Sequence, residues 1–517
     1  MPEHLKTIVI ILGLALPYFL AARAPATVCI EEGDYLRRRN LWLGVTLSAF
    51  LAHNYWVHIL VAGGLILYWS AGRERNPVAL YCFLLFAAPA LPNPVPGFGI
   101  INYVFDMQYH RLLSLTLLAP AALALYKDSD SPRPGTCLTD KLVLAYVGYS
   151  LFLVYMAGTF TNFLRVAFTQ SLDILLPYYV ASRALRNLED FRDALMSFVV
   201  AAAVMAPMGA FESIKQWLLY APLKEALDVP IFGHPLLRED SLRAEVALGQ
   251  PIPYGYVMAV ALGYFLFLQK TLPGIALRVA GVLLIAVGLV VSYSRGPWLG
   301  ALLMVLTYLL SGPRPGVQIV KLAAGGALVV GILMATPEGD KITGLLPFVG
   351  DAEGGTVDYR QQLLETFLPI VLDNPIFGAS DFLYSPAVEA LRQGEGIIDI
   401  VNSYLFIGLY NGMVGLALFI SFFIAVGAAL VKGMRLTADK DSDRHRLGQS
   451  LLGTLVGILF IIVTVSSISA IPYIYWMLGG MGAAYLSLAQ RSLPKATPAM
   501  ARIPHRRPPR RRLSASG

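Results

Sequence analysis

The amino-acid sequence predicts an all-α polytopic membrane protein, a bundle of about 12–14 transmembrane helices with a helical periplasmic cap loop. Three observations predict it. Only 14% of the 517 residues are charged, against roughly 25% in a soluble chain. Hydrophobic residues make up 56%, and the mean hydropathy is +0.62. Apolar runs of bilayer-crossing length recur along almost the whole chain. Disorder, a coiled coil and an ordinary soluble enzyme are excluded.

The spans are expected, in order, near 7–22, 41–69, 77–92, 110–126, 142–160, 170–182, 193–212, 252–269, 274–293, 296–312, 318–336, 401–431, 450–468 and 471–489. The first has a short basic start and no clear small-residue cleavage site, so it reads as an uncleaved span. The 41–69 run is long and holds His53, Asn54 and His58 at its middle; it is one tilted span or a short hairpin. The 170–182 run is short and amphipathic, as a re-entrant segment would be.

Lys and Arg concentrate in cytoplasmic loops. Arg73 and Arg75, then Arg183, Arg186 and Arg192, then Lys432, Arg435, Lys440, Arg444 and Arg446 fix the orientation, with both termini inside. Arg37, Arg38 and Arg39 dissent, because they then fall outside; a hairpin at 41–69 would bring them inside and move Met1 out. Eight of the forty Lys and Arg follow Ala489 and read as a cytoplasmic topology anchor, not a nucleic-acid arm. The division expected is 1–336 for the N-terminal and central spans, with an outer loop near 213–251. A large periplasmic loop follows at 337–400, then the C-terminal spans at 401–489 and a basic, disordered cytoplasmic tail at 490–517. The large loop carries eleven carboxylates against Lys341, Arg360 and Arg392. It includes a helical-looking stretch, YRQQLLETFLPIVLDNP, that should cap the outer face. Long loops in compact proteins are usually functional.

Soluble-enzyme motifs are absent: no Walker A, HExxH or GxSxG sequence occurs. Cys29, Cys82 and Cys137 form neither a CxxC pair nor a disulfide framework. Asp128 with Asp130, and Asp441 with Asp443, have the spacing of a metal-binding DxD pair but read as solvated loops. Gly288, Gly300, Gly325 and Gly326 read as sites of close helix approach. The informative residues are arginines on the outer face, where the inside bias of positive charge does not explain them. Arg295 stands between two spans, Arg243 just before another, and Arg360 in the cap helix. Guanidinium groups fork onto phosphate oxygens and stay charged, which suits a lipid-linked diphosphate. Asn402 opens a span, with Asp399 three residues before it.

Three motifs in order resemble the O-antigen ligase and polymerase superfamily of bacterial envelope glycosyltransferases. SRGPWLGALL (294–303) is similar to its S-R-G-x-W-L-G signature. The segment from Arg360 to DNPIFGAS (373–380) resembles its R…NP-x-x-G-x-G element, with Ala379 and Ser380 where a further glycine is common. VNSYL…YNGMVGL (401–416) resembles its H-N-x-x-L…G-x-x-G-L element. Arg243 with GQPIPYG resembles the family's earlier outer-loop arginine. The resemblance spans about residues 240–430. It implies a metal-independent glycosyltransferase of the bacterial inner membrane, with its active face periplasmic and no cofactor. Arg295, Arg360 and Asp399 would be catalytic; Arg243, Asn402, Tyr359 and Tyr404 would bind substrate. The partners implied are a polyprenyl-diphosphate-linked glycan, a glycan or lipid-linked acceptor, membrane lipid and other polysaccharide assembly proteins. One position departs. The ligases carry a histidine before the Asn, where this chain has Val401, which takes no proton. Either the base lies elsewhere, with Asp399 nearest, or the chain is a polymerase-type member. A transporter or flippase of lipid-linked oligosaccharide is the rival class.

Overall fold

The computed structural model describes residues 1–70, 73–97, 99, 102–229, 235–238, 241–334, 354–379, 381–384, 386–389, 391, 398–437 and 439–491. Glu338, Asp340, Lys341, Asp351, Glu353, Ser380, Arg392, Glu395 and the basic tail after Arg491 lie outside the described residues. The protein is an all-α polytopic bundle. Among the described residues, five helical stretches are long and apolar enough to cross a membrane: Glu3–Ala26, Leu138–Ala157, Leu188–Lys215, Pro251–Leu268 and Ser403–Arg435. Tyr55–Ser70, Ile275–Val291 and Arg295–Leu310 are shorter apolar helices. Fewer helices meet that standard than the run count suggests, because several runs break, turn through π-helical segments or carry charge.

The first break settles the N-terminal topology. Helices α1 (Glu3–Ala26), α2 (Glu32–Leu51) and α3 (Tyr55–Ser70) run up and down in turn. The 41–69 run is therefore a hairpin. Its corner is fixed by Asn54, whose Oδ1 accepts from the backbone N–H groups of Trp56 and Val57, and by His53 at φ +49°. The rings of His4 and His53 meet edge to face at 5.0 Å, so Met1 lies at the corner end of α2. Arg38, at the other end, is fully buried. It donates to Asp193 at 2.5 Å and to Glu74 at 2.7 Å. Arg37–Arg39 therefore share a side with Glu74 and the start of α10 (Leu188–Ala203), with Met1 at the other end, the arrangement of the hairpin alternative. Water is scarce there, and a buried guanidinium needs partners; the carboxylates that supply them fix which end of α2 it occupies.

The second break is at 77–92. Helix α4 (Pro77–Leu84) stops after eight residues, because Pro89, Pro92, Pro94 and Pro96 cannot continue it. The chain beyond is buried without being helical. Side chains take its carbonyls: Tyr109 donates to Leu84, His110 Nε2 contacts Leu85, Thr46 donates to Ala87 and Tyr55 to Leu91. Irregular backbone at membrane depth survives only when satisfied by protein in this way. Asn93–Pro96 then pairs antiparallel with Tyr103–Met107. Helices α5 (Tyr109–Leu113) and α6 (Ala119–Lys127) flank a π-helical turn, Ser114–Leu118. Helix α7 (Leu138–Ala157) follows. The proposed re-entrant segment lies within a longer helical stretch: α8 (Phe160–Gln170), a π-helical turn at Ser171–Leu175, and α9 (Leu176–Ala184). Asp173 in that turn pairs with Arg111 at 2.7 Å.

The central core runs through α10, α11 (Met205–Lys215), the short α12 (Leu223–Ala226), α13 (Pro251–Leu268), α14 (Ile275–Val291), α15 (Arg295–Leu310) and α16 (Pro315–Met334). The cap has α17 (Gly354–Asp373) and α18 (Pro386–Glu389). The chain ends in α19 (Ser403–Arg435), α20 (Asp443–Ile461) and α21 (Ile471–Arg491). Helices α15 and α20 approach most closely where Gly300 faces Ile461 and Gly457 faces Met304; a Cβ at either glycine would overlap its neighbour. Small residues let backbones meet where lipid gives no hydrophobic drive. Gly288 likewise sits against Met258 and Tyr254, whereas Gly325 and Gly326 face open space and are not packing sites among the described residues.

One aspartate of each DxD pair is held in an ion pair on the basic side. Asp128 pairs with Arg186, and Asp443 with Arg192 and Arg446. The cap has its own small core: Leu363, Phe367 and Val371 on one face of α17 pack with Phe382, Val388, Leu391, Ile400, Leu405 and Leu409.

Candidate functional site: an arginine cluster around a serine-rich crossover

The apolar run at 450–468 does not stay helical to its end. Helix α20 stops at Ile461, and the chain crosses to α21 as an irregular segment, Ile462–Ala470. Its sequence explains the stop. Ser and Thr side chains bond to nearby backbone and compete with the helix, and Ser469 adopts φ +52°.

Each functional segment meets this crossover. Arg360 Nη2 donates to the Thr464 carbonyl at 3.5 Å. Gly296, beside Arg295, lies against Thr464 so closely that a Cβ there would overlap its hydroxyl. Ser466 donates to Asp399 Oδ1 at 2.6 Å and lies 2.9 Å from the Ile400 carbonyl. Ser467 donates to Ser403 at 2.8 Å, and Ser403 donates to the Val465 carbonyl at 2.7 Å. Ser469 reaches the Leu248 carbonyl at 3.3 Å, in the loop that carries Arg243.

The corner between α14 and α15 holds Arg295. Trp298 donates its indole N–H to the Leu289 carbonyl at 2.7 Å, satisfying one of the orphan carbonyls at the end of α14. Tyr293 turns the chain at φ +45°, and Ser294 starts α15. Arg243 reaches this corner, donating to Ser294 Oγ at 2.9 Å and to the Ser292 carbonyl at 3.4 Å. Arg243 thus reaches the corner where Arg295 begins α15, and Arg360 reaches the carbonyl of Thr464, against which Gly296 packs. All three are half-buried.

Tyr359 donates to the backbone carbonyl of Asp399 at 3.1 Å, joining α17 to the acidic residue. Asn402 and Tyr404 also have structural partners. Asn402 Oδ1 caps α19, accepting from Tyr404 and Leu405 N–H, as a helix start requires. The Tyr404 hydroxyl turns into the bundle and donates to the Leu459 carbonyl at 2.9 Å. Val401 packs against the cap's apolar core.

Two carboxyls missed in the sequence lie beside Arg243. Glu212 and Glu245 are both buried. Burial and the neighbouring Glu212 carboxyl push Glu245 up to about 9, against the pull of Arg243. At neutral pH Glu245 is therefore a neutral acid and does not cancel the arginine's charge. Burial draws Arg360 below its ordinary value, but a guanidinium starts high enough to stay charged. The two cavities described, of about 560 and 360 Å³, lie at the opposite, basic end, beside Lys440 and His445 and beside Arg183 and Lys432.

Residues 280–420 match the family model O-Antigen ligase. This part of the chain is similar to the O-antigen ligase family. No curated protein matches the chain. The matched segment begins inside α14 and ends inside α19. It contains Arg295, Arg360, Asp399 and Asn402; Arg243 and the crossover lie on either side of it in sequence. The protein is accordingly a multi-pass membrane protein of the ligase or polymerase glycosyltransferase type. In this O-antigen ligase segment the glycine motifs have a structural reason. Gly378, at φ +74°, and Gly412, at φ +63°, face each other's strands. A Cβ on Gly378 would overlap the Leu409 carbonyl, and one on Gly412 the Ile376 carbonyl. Backbone bonds from Ala379 to Leu409 (2.8 Å) and from Met413 to Pro375 (2.7 Å) then lock the cap onto α19.

Proposed function

We propose that the protein transfers or polymerises glycan from a polyprenyl-diphosphate-linked donor on the periplasmic face of the bacterial inner membrane. It is closer to an exopolysaccharide or O-antigen polymerase than to a strict lipid A-core ligase, since Val401 stands where the ligases keep a histidine. The observation that supports this reading is that the segments carrying Arg243, Arg295, Arg360 and Asp399 all pack against one crossover.

In the proposed step an acceptor sugar hydroxyl attacks the anomeric carbon of the donor glycan. The new glycosidic C–O bond forms as the bond from that carbon to the diphosphate oxygen breaks. The electron pair leaves with polyprenyl diphosphate, and the three guanidinium groups bind the charge that develops on its oxygens, with no metal required. The hydroxyl proton passes to Asp399, oriented by Ser466 and, through its backbone, by Tyr359. Diphosphate is a competent leaving group, so positioning and electrostatics supply most of the rate. Asn402 and Tyr404, which hold the start of α19 through the Asn402 side chain and the Tyr404 hydroxyl, line the substrate side of that helix start in this reading.

The test is the purified protein in lipid, given a polyprenyl-diphosphate oligosaccharide. Release of polyprenyl diphosphate with a longer or transferred glycan is expected. Movement of the donor across vesicles without bond cleavage would instead make the protein a flippase.

A further inference from the structure

The loop that carries Arg243 is not part of a helix, and only Ser241–Leu242 pairs as strand, with Leu237–Arg238. Its backbone is nonetheless held at five consecutive donors. Leu242 N–H donates to Gln216 Oε1 at 2.9 Å. Arg243 N–H donates to the Leu236 carbonyl at 2.9 Å, and Ala244 N–H to the Val291 carbonyl at 3.0 Å. Glu245 and Val246 N–H both donate to Glu212 Oε2, at 2.9 and 3.0 Å. The other oxygen of Glu212 accepts from Leu219 N–H at 2.8 Å. Three of these five donors are thus taken by two side chains from the end of α11. Glu212 lies in the last turn of α11 and Gln216 is the left-handed residue that ends it, and they grip the backbone on either side of Arg243.

Neither side chain is explained by packing alone. Glu212 is wholly buried in a helix whose neighbouring buried residues, Met205, Ala206, Met208 and Gly209, are apolar or small. A carboxyl is costly there unless hydrogen-bonded, and three backbone donors meet that need. Gln216 ends the helix in the left-handed region at φ +52°. Val246 is held at φ +48°, a conformation that a β-branched residue adopts only when its surroundings over-determine it.

We propose that Glu212 is a positioning residue for Arg243, with Gln216 completing the clamp from the other flank. Fixing the backbone at 242 and at 245–246 aims the Arg243 guanidinium at the Ser292–Ser294 corner beside Arg295, so that two of the three cations meet a diphosphate pre-organised. This rests on the reading of Arg243 as a diphosphate ligand given above.

The test uses the full chain in lipid nanodiscs and farnesyl diphosphate as the probe, with binding measured for the parent protein, Arg243→Ala, Glu212→Gln, Gln216→Ala and the two double variants. Arg243→Ala should weaken binding about tenfold or more, and Glu212→Gln by a similar factor. In the Arg243→Ala background Glu212→Gln should add nothing, because a positioning residue has no effect once its target is gone. A Glu212→Gln variant that binds as the parent does, or that costs the same factor in both backgrounds, overturns the positioning role in favour of a general structural one. If Glu212→Gln fails to assemble, Gln216→Ala carries the same comparison on an exposed side chain. Its smaller weakening should vanish when Arg243 is alanine, and persistence there overturns the proposal. Arg243→Ala binding the probe as the parent does would defeat the diphosphate reading of Arg243 itself, and the positioning role with it.

Discussion

At the scale of single residues the site is a problem in charge. Three arginine-bearing segments come together where the basic bias of the opposite face does not put them: Arg243 donates to the Ser294 hydroxyl and the Ser292 carbonyl, and Arg360 to the Thr464 carbonyl. Arg295→Ala and Arg360→Ala should each cut glycan transfer by about a hundredfold or more, the scale for losing one electrostatic stabiliser of a transition state, while the protein still inserts. Lys at either position should lose most of the rate if the forked geometry matters; full activity there would argue for a plain point charge. Asp399→Asn should reduce turnover strongly without weakening donor binding, and a wild-type rate would remove it as the base. Glu245 sets a pH dependence of another kind. Its carboxyl is neutral in the fold up to about pH 9 but ionises near 4.3 in an unfolded loop. Between those values the unfolded state binds fewer protons, so stability falls as pH rises. The melting temperature of the parent protein should decline from pH 5 towards pH 9, and Glu245→Gln should flatten that slope. An equal slope in the variant would assign it to other groups.

Among the elements, the cap and α19 show why Gly378, after Asn374 and Pro375, and Gly412 act as a unit. The backbones at 375–379 and 409–413 touch, and a side chain at either glycine displaces a carbonyl. Gly412→Ala should destabilise the docked cap by roughly 1–3 kcal/mol, the cost of a forced left-handed residue, with the clash added. Faster hydrogen exchange across 359–379 should accompany a loss of transfer; exchange unchanged from the parent would mean that the cap is held elsewhere. The helical stretch of the cap, the corner at Arg295 and the entry to α19 were legible because each carries its own local signal, a run of apolar spacing broken by Gly, Pro or Asn. The irregular stretch after Leu84 was legible in principle, in the four prolines between 89 and 96, but its apolar composition reads as a span. The crossover at 462–470 was hidden for the opposite reason. Its serines and threonines are tolerated in a membrane helix, so only the tertiary partners, Arg360, Asp399 and Ser403, reveal that they serve another segment. Glu212 and Gln216 were equally silent, since a lone polar pair at a helix end has no spacing that points to a loop thirty residues on.

For the whole molecule, orientation is decided by buried ion pairs as much as by loop composition. Arg38 joins α2 to Glu74 and to Asp193 on α10, and Arg183 joins α9 to Asp140 on α7 at 2.6 Å, both nearly inaccessible. These pairs form one charged layer at the end of the bundle opposite the arginine site. Removing a partner from such a pair leaves an uncompensated buried charge, at a cost of about 3–5 kcal/mol. Arg38→Ala should therefore deplete the assembled protein in membranes, whereas Arg38→Ala with Glu74→Gln and Asp193→Asn should recover part of it. The same layer predicts the sidedness of the N-terminus. With Arg38 inside, the corner at His53 and the start of α1 lie outside, while Cys137, an exposed thiol in the loop before Asp140, lies inside. A membrane-impermeant maleimide applied to intact spheroplasts should label Glu3→Cys in a Cys137→Ser background and should leave Cys137 of the parent unlabelled until the membrane is opened. Labelling of Cys137 from outside, with protection of residue 3, would invert the bundle and place the arginine cluster on the cytoplasmic face, where no flipped lipid-linked donor could meet it.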